Sequence, residues 1–302
     1  MQQRFTQEAD FRQERDFGQK IGATFEFIGA HAKPLGKCLL YFVVPFALLA
    51  GIGLGITQRE VLSSINSGTL RTVNTFDMLT PIYLLAIGAS SLSYVLLAAT
   101  VYGYIRLRID TDAQQEITPT MVRHYLFRYW LPLVLSGVCS VILSMTGMLL
   151  FVIPGIYLGV ALSLVWVVQI LEEGGIGYSL KRSEGLVRGK WWSTFGLSLV
   201  IGIIIGILGM IFQIPQLIGY AGKALHWDFF TSDIIVITAG IINSVGHTLL
   251  YAPLMVALAF QYFNLVERKE GFGLRMQVMS LGQTPAPTEA NHHLRPDDEG
   301  EY

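Results

Sequence analysis

The chain has 302 residues, of which 52% are apolar and only 14% charged, against about 25% charged in a soluble domain. Its formal net charge is −1, which excludes the strongly basic balance of a nucleic-acid-binding protein. The composition points instead to an all-α polytopic membrane protein.

The charges are clustered. Residues 38–58, 78–105, 129–171, 191–222 and 234–266 hold no Asp, Glu, Lys or Arg. A membrane helix needs about 20 apolar residues, so four of these runs hold one span each. The run 129–171 would be about 65 Å long as one helix, roughly twice the hydrocarbon core. It therefore reads as two spans, with Pro154-Gly155 as the hairpin point. Six spans result, at about 38–57, 80–104, 131–152, 156–171, 193–213 and 234–263.

In chain order, residues 1–16 read as a loose polar N-terminal tail, without the short apolar core of a signal peptide. Residues 17–272 form the membrane domain, and 273–302 a disordered acidic tail. Phe17 to Ala32 reads as an amphipathic helix with Phe17, Ile21, Phe25 and Ile28 on one face, ended by Lys33-Pro34. Span 1 carries Gly51 and Gly55, a spacing that lets helix backbones approach closely. Packing within the chain and dimerisation are the two uses for it. Residues 58–77 read as a polar loop. Before span 3, Thr118 suits an N-cap and Pro119 the first helical position. Val122, Tyr125, Leu126 and Tyr129 share a face there, and Trp130 and Pro132 mark membrane entry. A third amphipathic piece, Ile176 to Trp191, puts Ile176, Leu180, Val187 and Trp191 on one stripe and Lys181, Glu184 and Arg188 on another. Span 5 repeats the small-residue spacing at Gly202 and Gly206. The plan of amphipathic piece, entry point and paired spans recurs three times, as HAKPLGKCLL, FRYWLPLVLS and RGKWWSTFGL introduce the pairs. Either an internal threefold duplication or the common flanking of membrane helices by amphipathic segments accounts for it.

Of the 21 Lys and Arg residues, 18 lie on the side shared by the termini and 3 on the other. The positive-inside rule then puts both termini and all three amphipathic pieces in the cytoplasm.

The stretch 151–192 carries Ile153-Pro154-Gly155-Ile156, Glu172, Ser179-Leu180-Lys181-Arg182-Ser183 and Leu186-Val187-Arg188-Gly189-Lys190-Trp191-Trp192. It resembles a family of bacterial multi-pass membrane proteins. The family includes the membrane domain of some glycerophosphodiester phosphodiesterases and stand-alone relatives without assigned function. The resemblance implies the membrane fold and no chemistry, since no segment outside the spans could form a catalytic barrel. Relatives often carry a proline within span 4. Leu164 to Val168 has none, which argues against a kink there.

Candidate sites follow from polar groups at apolar depth. His247 lies in mid-span beside Asn243 and Ser244, where an ionisable group is either functional or a neutral partner to a neighbouring helix. Glu172 and Glu173 can clasp Lys181 or Arg182, fixing the third amphipathic piece to span 4. Pro154, Gly155, Arg188, Lys190, Trp191 and Trp192 complete the set of structural or lipid-contact candidates. Gln169 and Gln213 read as interhelical hydrogen-bonders. His226-Trp227-Asp228, with Asp233, and His292-His293 lack metal-ligand spacing, and Cys38 and Cys139 read as small buried hydrophobes. No nucleotide, zinc-protease or serine-hydrolase motif occurs, so no catalytic residue, cofactor or metal is assigned. The expected function is a non-enzymatic structural or accessory role in envelope or lipid homeostasis of the bacterial inner membrane. The expected partners are membrane lipids, anionic ones among them, with homo-oligomer and other membrane-protein partners left open. A small carrier with a polar path through Ser90, Gln169 and His247 is the alternative, and a lipid-acting enzyme the third.

Overall fold

The computed structural model describes residues 5, 8–66, 80–111, 115–224, 232–271 and 275, with side chains for all of these except 61–66, 223 and 224. Among the described residues the chain is all-helical. Its helices are α1 (Glu8–Phe11), α2 (Phe17–Phe42), α3 (Val44–Asn66), α4 (Pro81–Asp110), α5 (Pro119–Leu150), α6 (Val152–Ala161), α7 (Val165–Leu171), α8 (Ile176–Val187), α9 (Trp191–Ala224), α10 (Asp233–Leu250) and α11 (Ala252–Glu270). Among the described residues five segments are long and apolar enough to cross a membrane: α4, α5, α6 with α7, α9, and α10 with α11. α2 and α3 pass the same test only when taken as one bent pair, which makes the number five or six. The protein is membrane-embedded.

α4 and α11 form the centre. Val95 to Ile105 and Met255 to Glu267 are buried without a break, as expected of helices enclosed on every side. Phe260 gathers Phe5, Phe11 and Phe27 around it, with ring centroids 5.4–6.1 Å apart. The tail is therefore not loose over Glu8 to Asp16. Phe11 is fully buried, the Arg15 backbone N–H donates to Asn264 Oδ1 at 2.8 Å, and Asp16 caps α2 through Gln19.

Several sequence expectations need correction. Pro34 does not end the first amphipathic helix, which runs on to Phe42. The carbonyl freed by its missing N–H is that of Ala30, an exposed residue. The break falls at Val43, where α2 and α3 meet at 52°, just before Pro45, which strips a donor from the helix and disfavours helical geometry at Val44. The buried face of α2 is Lys20, Thr24, Phe27, His31, Leu35 and Cys38; Phe17 and Phe25 are exposed. Residues 58–66 continue α3 and 214–224 continue α9. The second amphipathic piece and span 3 are one helix through Pro132, with Val122, Leu126 and Tyr129 buried. The hairpin turns at Phe151, which is extended (φ −156°, ψ 143°), rather than at Pro154-Gly155. Pro154 sits in the first turn of α6. A Cβ on Gly155 would lie 2.7 Å from the Met148 backbone nitrogen, so glycine is there for close approach. The three entry junctions take three forms: a bend at Val43, an unbroken run through Pro132, and a turn at 188–190. His226-Trp227-Asp228 and His292-His293 lie outside the described residues.

Gly51 and Gly55 face α10. A Cβ on Gly51 would come within 2.6 Å of Ile241 Cα, and one on Gly55 within 2.8 Å of Ile237 Cα. That spacing is used inside the chain. Cys38 is buried and Cys139 half-buried, and both are free.

Candidate functional site

Span 4 is broken despite having no proline. Leu162 and Leu164 sit near ψ 0°, and the turn closes through Ser163 N–H to Val160 O (3.2 Å) and Val165 N–H to Leu162 O (3.1 Å). Such a break frees helix carbonyls, which must find donors. Ser183 supplies one: its Oγ donates to Ala161 O at 2.7 Å. α8 therefore folds back along α7. The face it packs inward is Ser179, Ser183, Leu186 and Val187; of the expected stripe of Ile176, Leu180, Val187 and Trp191 only Val187 is buried. Small hydroxyl residues let the helices approach and supply the missing donor, which a count of apolar residues does not register.

Both ends of α8 are tied down. Glu172 accepts from Arg182 Nε at 3.0 and 3.1 Å, from Tyr178 Oη at 2.6 Å and from Tyr262 Oη at 2.9 Å. Arg182 also donates from Nη2 to Glu270. Burial works against its charge, and the hydrogen bonds to Glu270 and Glu172 outweigh that, so its pKa is raised. Glu173 pairs instead with Arg128 at 3.1 Å, while Lys181, Arg188 and Lys190 are exposed. Trp191 stacks between Tyr157 and Phe195 and donates Nε1–H to Tyr157 O at 3.1 Å; Trp192 is exposed.

Beside the broken span lies a cavity of about 950 Å³ between α4, α5 and the α6–α7 pair. Its walls include Gly88, Leu92, Val95, Val138, Met145, Leu162 and Trp166. No charged residue lines it. Four of its six polar side chains are committed: Ser140 donates to Ser136 O, Ser163 to Val160 O, Trp166 Nε1–H to Leu133 O, and Tyr94 Oη lies against His247, which leaves Ser91 and Ser144. The rest of the wall left to a ligand is apolar.

The polar path expected through Ser90, Gln169 and His247 has no described hydrogen bond joining any two of the three. Gln169 is buried and accepts from Ser136 Oγ at 2.8 Å. His247 Nδ1 lies 3.2 Å from Tyr94 Oη. A different polar chain links α3, α9 and α10: Asn243 donates to Gln216 at 3.2 Å and Gln216 to Gln58 at 3.0 Å. Interhelical bonds of this kind hold membrane helices together.

Lys20 reads from sequence as one of the basic residues of the amphipathic pieces facing the leaflet, but the structure buries it. It is 2% exposed and donates to Ser193 Oγ (2.9 Å) and Gln261 Oε1 (2.8 Å), while Gln261 donates to Thr194 Oγ1 (2.9 Å). Thus α2, α9 and α11 meet on one ammonium.

Among the described residues no cluster of three or more His, Cys, Asp or Glu could hold a metal. Comparison with known proteins yields no match to any family model, curated protein or solved structure.

Proposed function

We propose that this chain is a non-enzymatic protein of the bacterial inner membrane with a structural or accessory role in envelope or lipid homeostasis, and that it works by holding a phospholipid acyl chain. The observation that carries this reading is the cavity of about 950 Å³ beside the broken span. It falls at the upper end of the range of about 300–1,000 Å³ for ligand pockets. It lies between segments of membrane-crossing length, and its polar groups are largely bonded to the protein. Such a wall suits a hydrocarbon chain. A carrier of polar solutes is the weaker reading, because a solute there would find few donors and acceptors to replace its water.

The same reading takes the chain as six spans with both termini cytoplasmic, following the 18-to-3 division of Lys and Arg. α2, the start of α5, and α8 then lie on the cytoplasmic face. Exposed Lys181, Arg188 and Lys190 attract an anionic leaflet at about 1 kcal/mol each, and exposed Trp192 favours the headgroup level. The resemblance of residues 151–192 to the bacterial multi-pass family belongs with this reading.

Gly88→Phe tests it. Gly88 lines the cavity, and a Cβ there meets no atom within 4 Å among the described residues, so a ring can enter the space a lipid chain would use. Native mass spectrometry from mild detergent is expected to show fewer bound phospholipids on Gly88→Phe than on the wild type at unchanged insertion. Equal numbers on the two proteins would overturn the acyl-chain reading.

A further inference from the structure

A second, smaller pocket of about 320 Å³ opens where α5, α7 and the start of α8 meet. Its chemistry differs from that of the apolar cavity. Arg128 and Glu173 stand in its wall as an exposed pair, 3.1 Å apart. Two buried polar side chains line it, one of them with unused capacity. Tyr129 is 5% exposed, and its hydroxyl has no hydrogen-bond partner among the described residues. Gln169 is 1% exposed, and its Oε1 accepts from Ser136. A buried hydroxyl left so in a folded protein calls for an explanation. The third contribution is the N-terminus of α8. Its N-cap, Gly175, offers no side chain to the first amides, which have no acceptor within the helix. A Cβ at Gly175 or Gly177 would meet no atom within 4 Å among the described residues, so a ligand can reach the backbone. A helix start of this kind favours a phosphate.

These groups are mostly donors, and the one strong acceptor is the Glu173 carboxylate. A plain anion would gain the donors but would also face Glu173 and have to pull Arg128 away from it. A ligand carrying both a phosphate and an ammonium avoids that conflict. Its phosphate takes Arg128, the α8 amides and the Tyr129 hydroxyl, and its ammonium takes Glu173. Leu131, Pro132 and Leu135 give the remaining wall an apolar character, suited to the glycerol and first methylenes of a lipid. We propose that this pocket is a headgroup site for a zwitterionic aminophospholipid, with Arg128 and Glu173 setting its preference for phosphate plus ammonium over phosphate alone. The site rests on the reading of the chain as lipid-binding but not on occupancy of the larger cavity.

The test uses the full chain in detergent and separates headgroup from acyl chain. Glycerophosphoethanolamine, glycerophosphoglycerol and inorganic phosphate are titrated by thermal shift, and phosphatidylethanolamine retention is read by native mass spectrometry. Wild type and Gly88→Phe are both expected to bind glycerophosphoethanolamine, at least about tenfold more tightly than the other two probes. Arg128→Gln and Glu173→Gln, both at exposed positions, are expected to lose that margin and the retained phosphatidylethanolamine. Equal binding of phosphate and glycerophosphoethanolamine would reduce the pocket to an anion site and overturn the proposal. Unchanged binding in Arg128→Gln, or no binding in the wild type, would also overturn it. Binding of the soluble probe without retention of the lipid would overturn the lipid source. Loss of lipid in Gly88→Phe alone would leave the acyl-chain reading standing and this one refuted.

Discussion

Gly51→Leu is expected to prevent recovery of folded, monodisperse protein, while Gly202→Leu is expected to melt like the wild type. Both glycines begin the same four-residue spacing, so sequence alone treats them alike. In the structure α3 and α10 meet backbone to backbone. A Cβ on Gly51 would lie 2.6 Å from Ile241 Cα, and one on Gly240 would lie 2.8 Å from Gly51 O. Backbone cannot rotate aside as a side chain can. Within a bilayer there is no hydrophobic drive to hold the helices together once their close packing is lost. Overpacking costs about 1–3 kcal/mol even in adaptable cores, and here the whole α3–α10 contact is at stake. Gly202 and Gly206 are exposed, and a Cβ at either would meet nothing within 4 Å among the described residues. Size-exclusion profiles and melts of the two variants decide the matter. A wild-type melt for Gly51→Leu would contradict the packing described.

Arg182→Ala is expected to lower stability by about 2 kcal/mol, between the 0–1 kcal/mol of an exposed pair and the 3–5 kcal/mol of a broken buried one. The side chains of Arg182 and Glu172 are 26% and 16% exposed, so neither limit applies. The substitution removes both hydrogen bonds to Glu172 and the one to Glu270. It leaves a partly buried carboxylate held by two tyrosines alone. α8 should loosen, and with it the Ser183 hydroxyl that occupies the Ala161 carbonyl at the break. Arg275→Ala, beyond the last long helix, is expected to change stability by less than about 0.5 kcal/mol. Thermal melts in one detergent compare the two, and equal losses would count against the clasp.

How far the sequence disclosed this architecture depends on the signal each part rests on. The apolar runs located the membrane-crossing segments, because length and hydropathy alone define them. The Glu172–Arg182 pairing lay among the combinations that spacing suggested, since a short turn limits what the two carboxylates can reach. Helix faces fared worse wherever the buried side is polar. Lys20, Thr24 and His31 point inward on α2, and Ser179 and Ser183 on α8, so an apolar stripe pointed to the wrong side. Proline misled in both directions. Pro34 and Pro132 sit within continuous helices, while the break at 162–164 has no proline and depends on a donor 22 residues away in sequence. The cavity was not legible at all. It arises from the angle between α4 and the α5–α7 hairpin, and no local pattern encodes that angle.

The central claim is that a lipid chain occupies the space beside the broken span. The most direct measurement is photocrosslinking in nanodiscs with a phospholipid bearing a diazirine on its acyl chain, followed by peptide mapping. The account predicts adducts concentrated on buried cavity-lining residues such as Leu162, Val165 and Val95, and their loss in Gly88→Phe. Adducts spread evenly over the exposed apolar surface, with Leu199, Ile203 and Ile207 of α9 labelled as strongly as the cavity, would contradict it.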